Sequence, residues 1–147
     1  MAETDANFVV VDPEDELRIY IVVRRDIGDI ISKPKFGVQC AHATLSVWAA
    51  CVQNDPVRAW RYFQAAQPKI VLQVKDAKAL LDLHAKARQA RFFAEPIVDA
   101  GRTEFSEPTL TSIALGPIWF KAEGQPLLKR VRLYQDTKPI EPLIATL

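Results

Sequence analysis

The sequence predicts an α/β fold with four strands, and three observations support this class. A chain of 147 residues is about the length of one domain. Hydrophobic residues make up 49% of it and charged residues 25%, which excludes collagen-like repeats and extensive disorder. β-branched runs also alternate with segments whose apolar residues recur at helical spacing, in the order strand, two helices, strand, helix and two strands.

The first part of the chain predicts a strand followed by a long helix. Residues 17–24 are a β-branched and aromatic run that suits a buried strand. The helix runs from Phe36 to about Gln53, and apolar side chains cover most of its circumference. Residues three and four apart lie on one helix face, so the remaining polar side chains form a single stripe of Lys35, Gln39, His42 and Ser46.

A second, shorter helix follows, because Asp55 is a typical cap and Pro56 suits a first helical turn. We expect this helix to end near residue 65, with Trp60 and Phe63 turned inward. The second strand then covers residues 69–74. The two helices together form the connection between the first two strands.

The second half of the chain predicts a third helix, two strands and a last helix. Asp76 caps the third helix, which runs to about residue 90 and has a buried stripe of Leu80, Leu81, Leu83 and Ala87. The third strand lies near residues 92–98, and the fourth covers 111–115 before a glycine-proline pair ends it. The last helix is expected at residues 126–132, with a proline in its first turn.

Charge and cysteine usage bear on partner and compartment. The first 16 residues carry six acids and no base, which leaves a net charge of +7 on residues 17–147. A basic body favours a polyanion such as nucleic acid as partner, although solvated surface lysines produce the same excess. Cys40 and Cys51 fall in one helix, about 16 Å apart along its axis, so we predict no disulfide and a reducing, cytoplasmic location.

Several classes of protein lack their usual signals in this sequence. No apolar run reaches the roughly 20 residues of a membrane span, and the chain does not start with the pattern of a signal peptide. It has no phosphate-binding glycine loop, no dinucleotide fingerprint and no zinc-protease motif. His84 has no histidine or cysteine nearby in sequence, so we predict no metal site.

The sequence Lys-Pro-Lys-Phe-Gly-Val-Gln-Cys-Ala-His at residues 33–42 resembles the second class of peptidyl-tRNA hydrolases, which is typical of archaea and eukaryotes. The resemblance resumes at Gln-Pro-Lys-Ile-Val-Leu from residue 67, at Ile-Val-Asp-Ala-Gly-Arg-Thr from residue 97, at residues 111–117 and at residues 130–134. It covers residues 17–134, which we take as one domain. On either side lie an acidic segment, 1–16, which we expect to be mobile, and a proline-containing tail, 135–147.

The resemblance implies a compact domain in which a four-stranded mixed sheet has helices on both faces, in a family that often forms homodimers. It implies hydrolysis of the ester between a peptide and the 3′ end of tRNA, which recycles tRNA from aborted translation without a cofactor. Carried over by position, the catalytic residues are Lys35, Asp99, Thr103 and Thr111. We expect substrate binding by Gln39, by His42 and by the phosphate-neutralising Lys33, Lys69 and Arg102. Of the positions carried over, His42 and Asp26 are the weaker supporting matches.

These residue types suit ester hydrolysis, which needs a held water and donors aimed at the developing oxyanion. Aspartate has an ordinary pKa near 3.9 and is a weak base at neutral pH, so we expect Asp99 to orient Lys35 and the water. A lysine just ahead of a helix is unfavourable by about 0.3 to 1 kcal/mol unless an anion lies nearby. Thr103 and Thr111 offer hydroxyl donors, and Gln39 offers an amide.

The sequence also departs from the family. Pro34 stands where the family has a glycine, and Gly37 falls near the helix start, so the backbone around Lys35 is expected to differ.

Other interpretations remain open at this point. Lys35 is also explained as a solvated lysine, Asp99 as a turn cap, Thr111 as a strand residue and His42 as a hydrogen-bonded structural histidine. The alternative function is a non-catalytic RNA- or protein-binding module on the same fold, and a third is hydrolysis of small esters or amides. A pure RNA binder has no need of a carboxylate facing phosphate, which favours the enzyme.

Overall fold

The helices and strands of the computed structural model lie within its described residues, 12–27, 31–101, 105 and 107–135. The strands are β1 (Leu17–Arg24), β2 (Lys69–Val74), β3 (Ala94–Asp99), β4 (Thr109–Trp119) and β5 (Arg132–Leu133). The helices are α1 (Lys33–Asn54), α2 (Pro56–Gln64), α3 (Ala77–Gln89) and α4 (Gln125–Leu128). A 3₁₀ turn at Arg25–Ile27 follows β1, and a π-helical turn at Phe120–Gly124 follows β4.

The sheet is mixed and has five strands in the order β3-β4-β1-β2-β5, one more than predicted. β1 is parallel to β2 and antiparallel to β4, and β4 is antiparallel to β3. Because β1, β2 and β3 therefore run in one direction, their carboxyl ends meet at one edge of the sheet. We call this the carboxyl edge; α/β folds commonly gather functional residues there.

The fifth strand lies where we predicted the end of the last helix. α4 is only four residues long and ends at Leu128. The amide of Val131 then donates back to the Leu128 carbonyl, and Arg132 and Leu133 pair with the free side of β2. An unpaired strand presents a row of backbone donors and acceptors, so pairing favours the extended form over further helix.

Helices cover both faces of the sheet, as predicted. On one side, the α1 face, α1 and α2 bury Ala43, Val47 and Tyr62 against the odd-numbered residues of β1. On the other side, the α3 face, α3 and α4 pack against the even-numbered residues and bury Leu80, Leu83, Ala87 and Leu128. Leu81, predicted in that stripe, is 54% exposed, because it lies about 100° around the helix from its buried neighbour.

Each long helix begins at a side chain that accepts a hydrogen bond from the first turn. Ser32 accepts from the Lys35 amide at 3.3 Å, so α1 begins three residues before the predicted start. Pro34 fits there because amides in a first helical turn need no partner within the helix. Asp55 and Asp76 cap α2 and α3 as predicted. Of the helices described, none is long and apolar enough to cross a membrane.

The inward orientation predicted for two aromatic residues of α2 is wrong. Trp60 and Phe63 are 46% and 49% exposed, whereas Tyr62 is buried. Arg58 binds Glu123 at 2.7 Å, which helps to fix the rotation of α2 about its axis. With Tyr62 facing the sheet, Phe63 lies about 100° and Trp60 about 160° around the helix from it, so both rings lie at the helix surface.

β4 continues to Trp119. The prediction that this strand ends at Gly116 and Pro117 is therefore wrong. Gly116 has a φ of 113°, and a Cβ there would lie 2.5 Å from the Arg18 carbonyl oxygen, so only glycine fits. The register with β1 shifts at this point, which lets a proline occupy the strand outside the regular ladder. The glycine-proline pair thus marks an irregularity within the strand.

Part of the acidic N-terminal segment lies against the end of β4. Asp15 accepts hydrogen bonds from the amides of Lys121 and Ala122 at 2.8 and 3.1 Å. Asp12 pairs with the Lys121 ammonium at 3.4 Å. Residues 12–16 therefore contact the end of β4, and the mobility expected of segment 1–16 stays a prediction. Residues 1–11 and most of the predicted tail, 136–147, lie outside the described residues.

Candidate active site

Buried polar side chains meet at the carboxyl edge, on the α1 face. Gln39 is 8% exposed, Asp99 4%, Thr111 3% and Ser112 1%. α1 supplies Gln39, β3 ends at Asp99, and β4 supplies the two hydroxyls. Lys35, in the first turn of α1, joins them. The structure therefore brings together four residues that the sequence predicted for the site, from three separate elements.

Lys35 and Asp99 form an ion pair, with 2.5 Å between Nζ and Oδ1. The two side chains are 18% and 3% exposed, so water screens this pair far less than a surface pair. The helix dipole disfavours a cation in the first turn of α1, and the carboxylate at the end of β3 offsets that effect.

Two further donors hold the Asp99 carboxylate. Oδ2 accepts a hydrogen bond from the Gly101 amide at 2.8 Å, and Oδ1 lies 3.4 Å from Gln39 Nε2. Gly101 has a φ of 77°, and a Cβ there would lie 2.5 Å from the Glu107 carbonyl carbon. Glycine is therefore required for the backbone to reach the carboxylate.

The charge state of Asp99 follows from these contacts. The hydrogen bond from Lys35, and then that from the Gly101 amide, hold the pKa of Asp99 below its ordinary value. The carboxyl group is therefore ionised at neutral pH, and it is a weak base there. Its geometry suits the orienting role that we predicted from the sequence.

Gln39 connects Asp99 to Thr111. The Thr111 hydroxyl lies 3.1 Å from Gln39 Oε1 and 3.2 Å from the Ile97 carbonyl oxygen. Its single hydrogen can be donated to one of these two acceptors at a time. When that hydrogen is donated to Gln39, the amide accepts from Thr111 through its oxygen and donates to Asp99 through its nitrogen, which links both strands to α1.

A β-bulge aims Thr111 into the site. Ile97 pairs with Ser112 and Val98 with Leu110, so Thr111 is an extra residue on β4 without a partner on β3. Ile113 lies on the α3 face, so strict alternation counted back from it would turn Thr111 to that same face. The bulge turns Thr111 to the α1 face beside Ser112 instead, as bulges near functional sites often do.

A narrow cleft opens beside this cluster. Its lining includes Phe36, Gln39, Cys40, Thr111, Ser112 and Tyr134, and its free space is roughly that of one water molecule. Ser112 Oγ is buried and has no hydrogen-bond partner among the residues described. Sequence reasoning missed Ser112 as a site residue. The signal was two consecutive polar residues in an otherwise apolar strand, which breaks the expected alternation.

Asp26, the weaker family match, pairs with a different cation. Both of its carboxylate oxygens accept from Arg24, at 2.9 and 2.8 Å. That hydrogen bonding holds the pKa of Asp26 below its ordinary value. Arg24 also donates to the Leu110 carbonyl at 3.1 Å and lines the cleft, so the pair forms part of its rim.

Other predicted residues do not join the cluster, or lie outside the described part. Lys33 and His42 are exposed on α1, and the imidazole ring of His42 makes no hydrogen bond to any residue described. The structural interpretation of His42 as a hydrogen-bonded residue therefore finds no support. Thr103, predicted as catalytic, and Arg102 lie outside the described residues.

Lys69 lies at the opposite edge of the sheet from Asp99. It is the first residue of β2 and pairs in register with Ile19, whereas the carboxyl edge begins near Val23. Four residues of strand correspond to about 13 Å. The Lys69 ammonium instead donates to the Gln67 carbonyl at 2.9 Å, so the structure does not bring it to the cluster around Asp99.

Neither thiol chemistry nor a metal site emerges from the geometry. Cys40 and Cys51 are both free thiols in α1, as predicted. Burial raises the pKa of both thiols, that of Cys51 to about 11, so they are protonated and weakly nucleophilic at neutral pH. Over the ranges described, no group of three or more histidine, cysteine or acidic residues is arranged to hold a metal ion.

The arrangement suits hydrolysis of a carboxylic ester. The Lys35 ammonium is a fixed, partly dehydrated hydrogen-bond donor, and such donors stabilise negative charge on a carbonyl oxygen. Asp99 and Gln39 hold it in place, and Thr111 supplies a hydroxyl on the same side of the sheet. What the cluster lacks is a strong general base, so a water nucleophile would be activated mainly by position and by charge.

Comparison with known proteins identifies relatives over most of the chain. The family model for Peptidyl-tRNA hydrolase PTH2 matches residues 17–134. A relative named "Probable peptidyl-tRNA hydrolase 2" from Schizosaccharomyces pombe is 38% identical over 106 residues, covering 71% of this chain and 50% of the relative. The "Peptidyl-tRNA hydrolase" of Methanocaldococcus jannaschii is 31% identical over 101 residues, covering 69% of this chain and 86% of that protein.

A human relative differs in its name. "Peptidyl-tRNA hydrolase 2, mitochondrial" of Homo sapiens is 29% identical over 117 residues, covering 78% of this chain and 63% of the relative. The chain spans about half the length of the yeast relatives that it matches, and most of the length of the archaeal one.

Proposed function

The chain belongs to the Peptidyl-tRNA hydrolase PTH2 family, and on that basis we propose that it hydrolyses the ester bond between peptide and tRNA in peptidyl-tRNA. This reaction recycles tRNA from aborted translation. The observation that carries the proposal is the buried pair of Lys35 and Asp99, linked through Gln39 to the Thr111 hydroxyl. A hydrophobic core that only stabilises the fold does not need these four polar groups together.

In the proposed reaction, water attacks the carbonyl carbon of the ester. Lys35 donates a hydrogen bond to the carbonyl oxygen, on which negative charge develops, and Asp99 keeps the ammonium in position. Removal of one such prearranged donor costs about 100- to 1000-fold in rate in other hydrolases. The bond to the 3′ oxygen of tRNA then breaks, and that oxygen takes up the proton that the water releases. The products are a peptide with a free carboxylic acid, which releases its proton to solvent at neutral pH, and a tRNA with a free 3′ hydroxyl.

Thr103 belongs to this proposal by its family match alone, as a second hydroxyl donor beside Thr111. Gln39 contacts both Asp99 and Thr111, so it acts as a positioning residue for the cluster. Lys33, Arg102 and Lys69 are proposed to neutralise tRNA phosphates away from the ester, and His42 to contact the substrate from the exposed side of α1. Affinity for tRNA should then fall steeply as salt is raised.

The proposal is tested by deacylation of an N-blocked aminoacyl-tRNA. We expect Lys35→Ala and Asp99→Ala each to lower kcat/KM by at least about tenfold, a loss of about 1.4 kcal/mol of transition-state stabilisation. Lys86→Ala and Asp82→Ala are matched controls, because both residues are exposed on α3. Circular dichroism melting curves check that all four variants fold.

Two outcomes would favour the other functions. Unchanged rates in both site variants, with tRNA binding retained, would indicate a non-catalytic binding module. Equal turnover of small esters that lack the tRNA would indicate a general esterase.

Location and assembly belong to the same proposal. We propose that the protein is cytoplasmic. The name of the human relative includes the word mitochondrial, so the alternative to test is a mitochondrial location. Fractionation of cells distinguishes the two. A homodimer also remains a prediction, which sedimentation velocity would test.

A further inference from the structure

A basic depression lies at the carboxyl edge, beside the candidate active site. Four cations line it: Arg25 after β1, Lys75 after β2, and Arg130 and Arg132 before and within β5. Ala79, near the start of α3, forms part of its wall, so it opens on the α3 face. We call this depression the basic groove.

The cations of the basic groove have no acidic partner within the described part of the chain. None of the four forms an ion pair there. The one acid in the lining, Asp26, has both carboxylate oxygens engaged by Arg24. Like charges gathered in a concave surface raise the local potential, which attracts an anion.

One cation of the groove contacts an aromatic residue that lines the cleft of the candidate active site. The Arg25 guanidinium lies 4.9 Å from the centre of the Tyr134 ring. That ring lies 5.2 Å from the ring of Phe36, and both aromatic residues line the cleft. The Tyr134 amide donates to the Val71 carbonyl at 2.9 Å, which fixes the segment after β5 against the sheet. A strand that leaves the cleft over Tyr134 therefore passes Arg25, which lines the basic groove.

We propose that the basic groove binds the phosphates of the RNA strand that leads from the ester into the body of the tRNA. This inference rests on the proposed function, because it takes the cleft as the site of the ester. The cations lie just after β1 and β2 and at the start of β5, and neighbouring strands lie about 4.8 Å apart. A row of charges at that spacing suits a linear polyanion better than a single phosphate ion.

The distance from the ester also fits a strand of a few nucleotides. β2 is three strand positions from β3, where Asp99 lies, so the groove is about 14 Å from the site across the sheet edge. That span corresponds to about four nucleotides of a stacked strand. The groove would therefore contact phosphates close to the 3′ end but not the ester itself.

The test compares two double variants, each of which removes one lysine and one arginine. Lys75→Ala with Arg130→Ala changes the groove, and Lys86→Ala with Arg88→Ala changes the last turn of α3, where both residues are exposed. Fluorescence anisotropy with deacylated tRNA measures affinity directly. We expect about tenfold weaker binding for the groove variant at low salt, and a salt dependence shallower by roughly 1.4 in log-log slope. The control variant should bind within about twofold of the unchanged protein.

A second substrate separates binding of the strand from chemistry at the ester. We expect the groove variant to lose kcat/KM on an N-blocked aminoacyl-tRNA, and to retain it on an N-blocked aminoacyl ester of a single nucleotide. Equal tRNA affinity of the groove and control variants would overturn the inference, whether or not the protein hydrolyses the ester. An equal loss on both substrates would also overturn it, because the groove would then act on the catalytic cluster.

Discussion

The two faces of the sheet are packed alike over most of their length and differ at the carboxyl edge. On the α3 face, leucine and alanine of α3 cover apolar strand residues, and the buried residues described there are apolar except for tyrosine Tyr20. On the α1 face, an equally apolar core gives way to Gln39, Asp99, Thr111 and Ser112. Both faces derive from the same strands, so strand composition alone does not explain the difference.

The difference shows where the protein keeps buried polar groups that lower its stability relative to an apolar core. Burying a polar group is costly unless it is hydrogen-bonded, and Gln39, Asp99 and Thr111 contact one another, with Lys35 and the Gly101 amide also binding Asp99. If the α1 face ended in apolar residues, as the α3 face does, no buried polar group there would need a hydrogen-bond partner. The polar cluster is therefore best explained by chemistry, whereas the α3 face is explained by packing.

The largest effect on stability is expected from the α3 face. Leu80 is fully buried, so Leu80→Ala should lower the free energy of unfolding by about 2 to 5 kcal/mol through lost burial and a residual cavity. The kcat of the molecules that remain folded should change little, because α3 does not contribute to the cluster. Urea melts and hydrolysis assays on the same sample measure both quantities. A loss of kcat as large as that of the Asp99→Ala variant would contradict this division between the faces.

The opposite pattern is expected for Thr111. Thr111→Val keeps the shape but removes the hydroxyl that contacts Gln39 and the Ile97 carbonyl. We expect kcat to fall about tenfold while the free energy of unfolding falls by only about 1 kcal/mol. Thr111→Ser, which retains a hydroxyl, is the matched control and should recover most of the rate. If serine and valine variants are equally slow, the hydroxyl is not the group that matters.

Ser112 offers a smaller effect of opposite sign. Its hydroxyl is buried without a partner in the described structure, which costs free energy relative to an apolar group of similar shape. Ser112→Ala should therefore raise the free energy of unfolding by about 1 kcal/mol. A destabilisation of similar size would show that the hydroxyl is satisfied in solution, for example by a water in the cleft.

The pH dependence of stability should single out Asp99 on the α1 face. Its pKa is lowered in the folded protein by the hydrogen bonds from Lys35 and Gly101, so its ionised form contributes stability above the ordinary aspartate pKa near 3.9. That contribution is lost as pH falls through the lowered pKa. We expect the stability gap between the unchanged protein and Asp99→Asn to shrink steadily below about pH 4. A gap that stays constant down to pH 2.5, about where such a loss should be well advanced, would contradict the assignment.

The sequence predicted the apolar parts of both faces well, because buried periodicity and helix caps are local signals. The bounds of β1 and β2, the caps Asp55 and Asp76, and the burial of Leu80 follow directly from them. The predictions for Trp60 and Phe63 failed because the Arg58 contact with Glu123, 65 residues away, helps to set the rotation of α2.

The candidate site was only partly predictable for a related reason. The family match picked out Lys35, Gln39, Asp99 and Thr111, but nothing local indicates that an ammonium on α1 reaches a carboxylate 64 residues later. The bulge at Thr111 depends on pairing between β3 and β4, and β5 depends on an open edge of β2. Such features arise from contacts between distant segments, which residue patterns do not encode.

A double-mutant cycle tests the central claim, that Lys35 and Asp99 act as one unit. kcat/KM for an N-blocked aminoacyl-tRNA is measured for the unchanged protein, Lys35→Ala, Asp99→Ala and the double variant. Since each group works through the other, the double variant should be no more than about threefold slower than the slower single variant. Losses that multiply in the double variant would mean that the two groups act independently and would contradict the account.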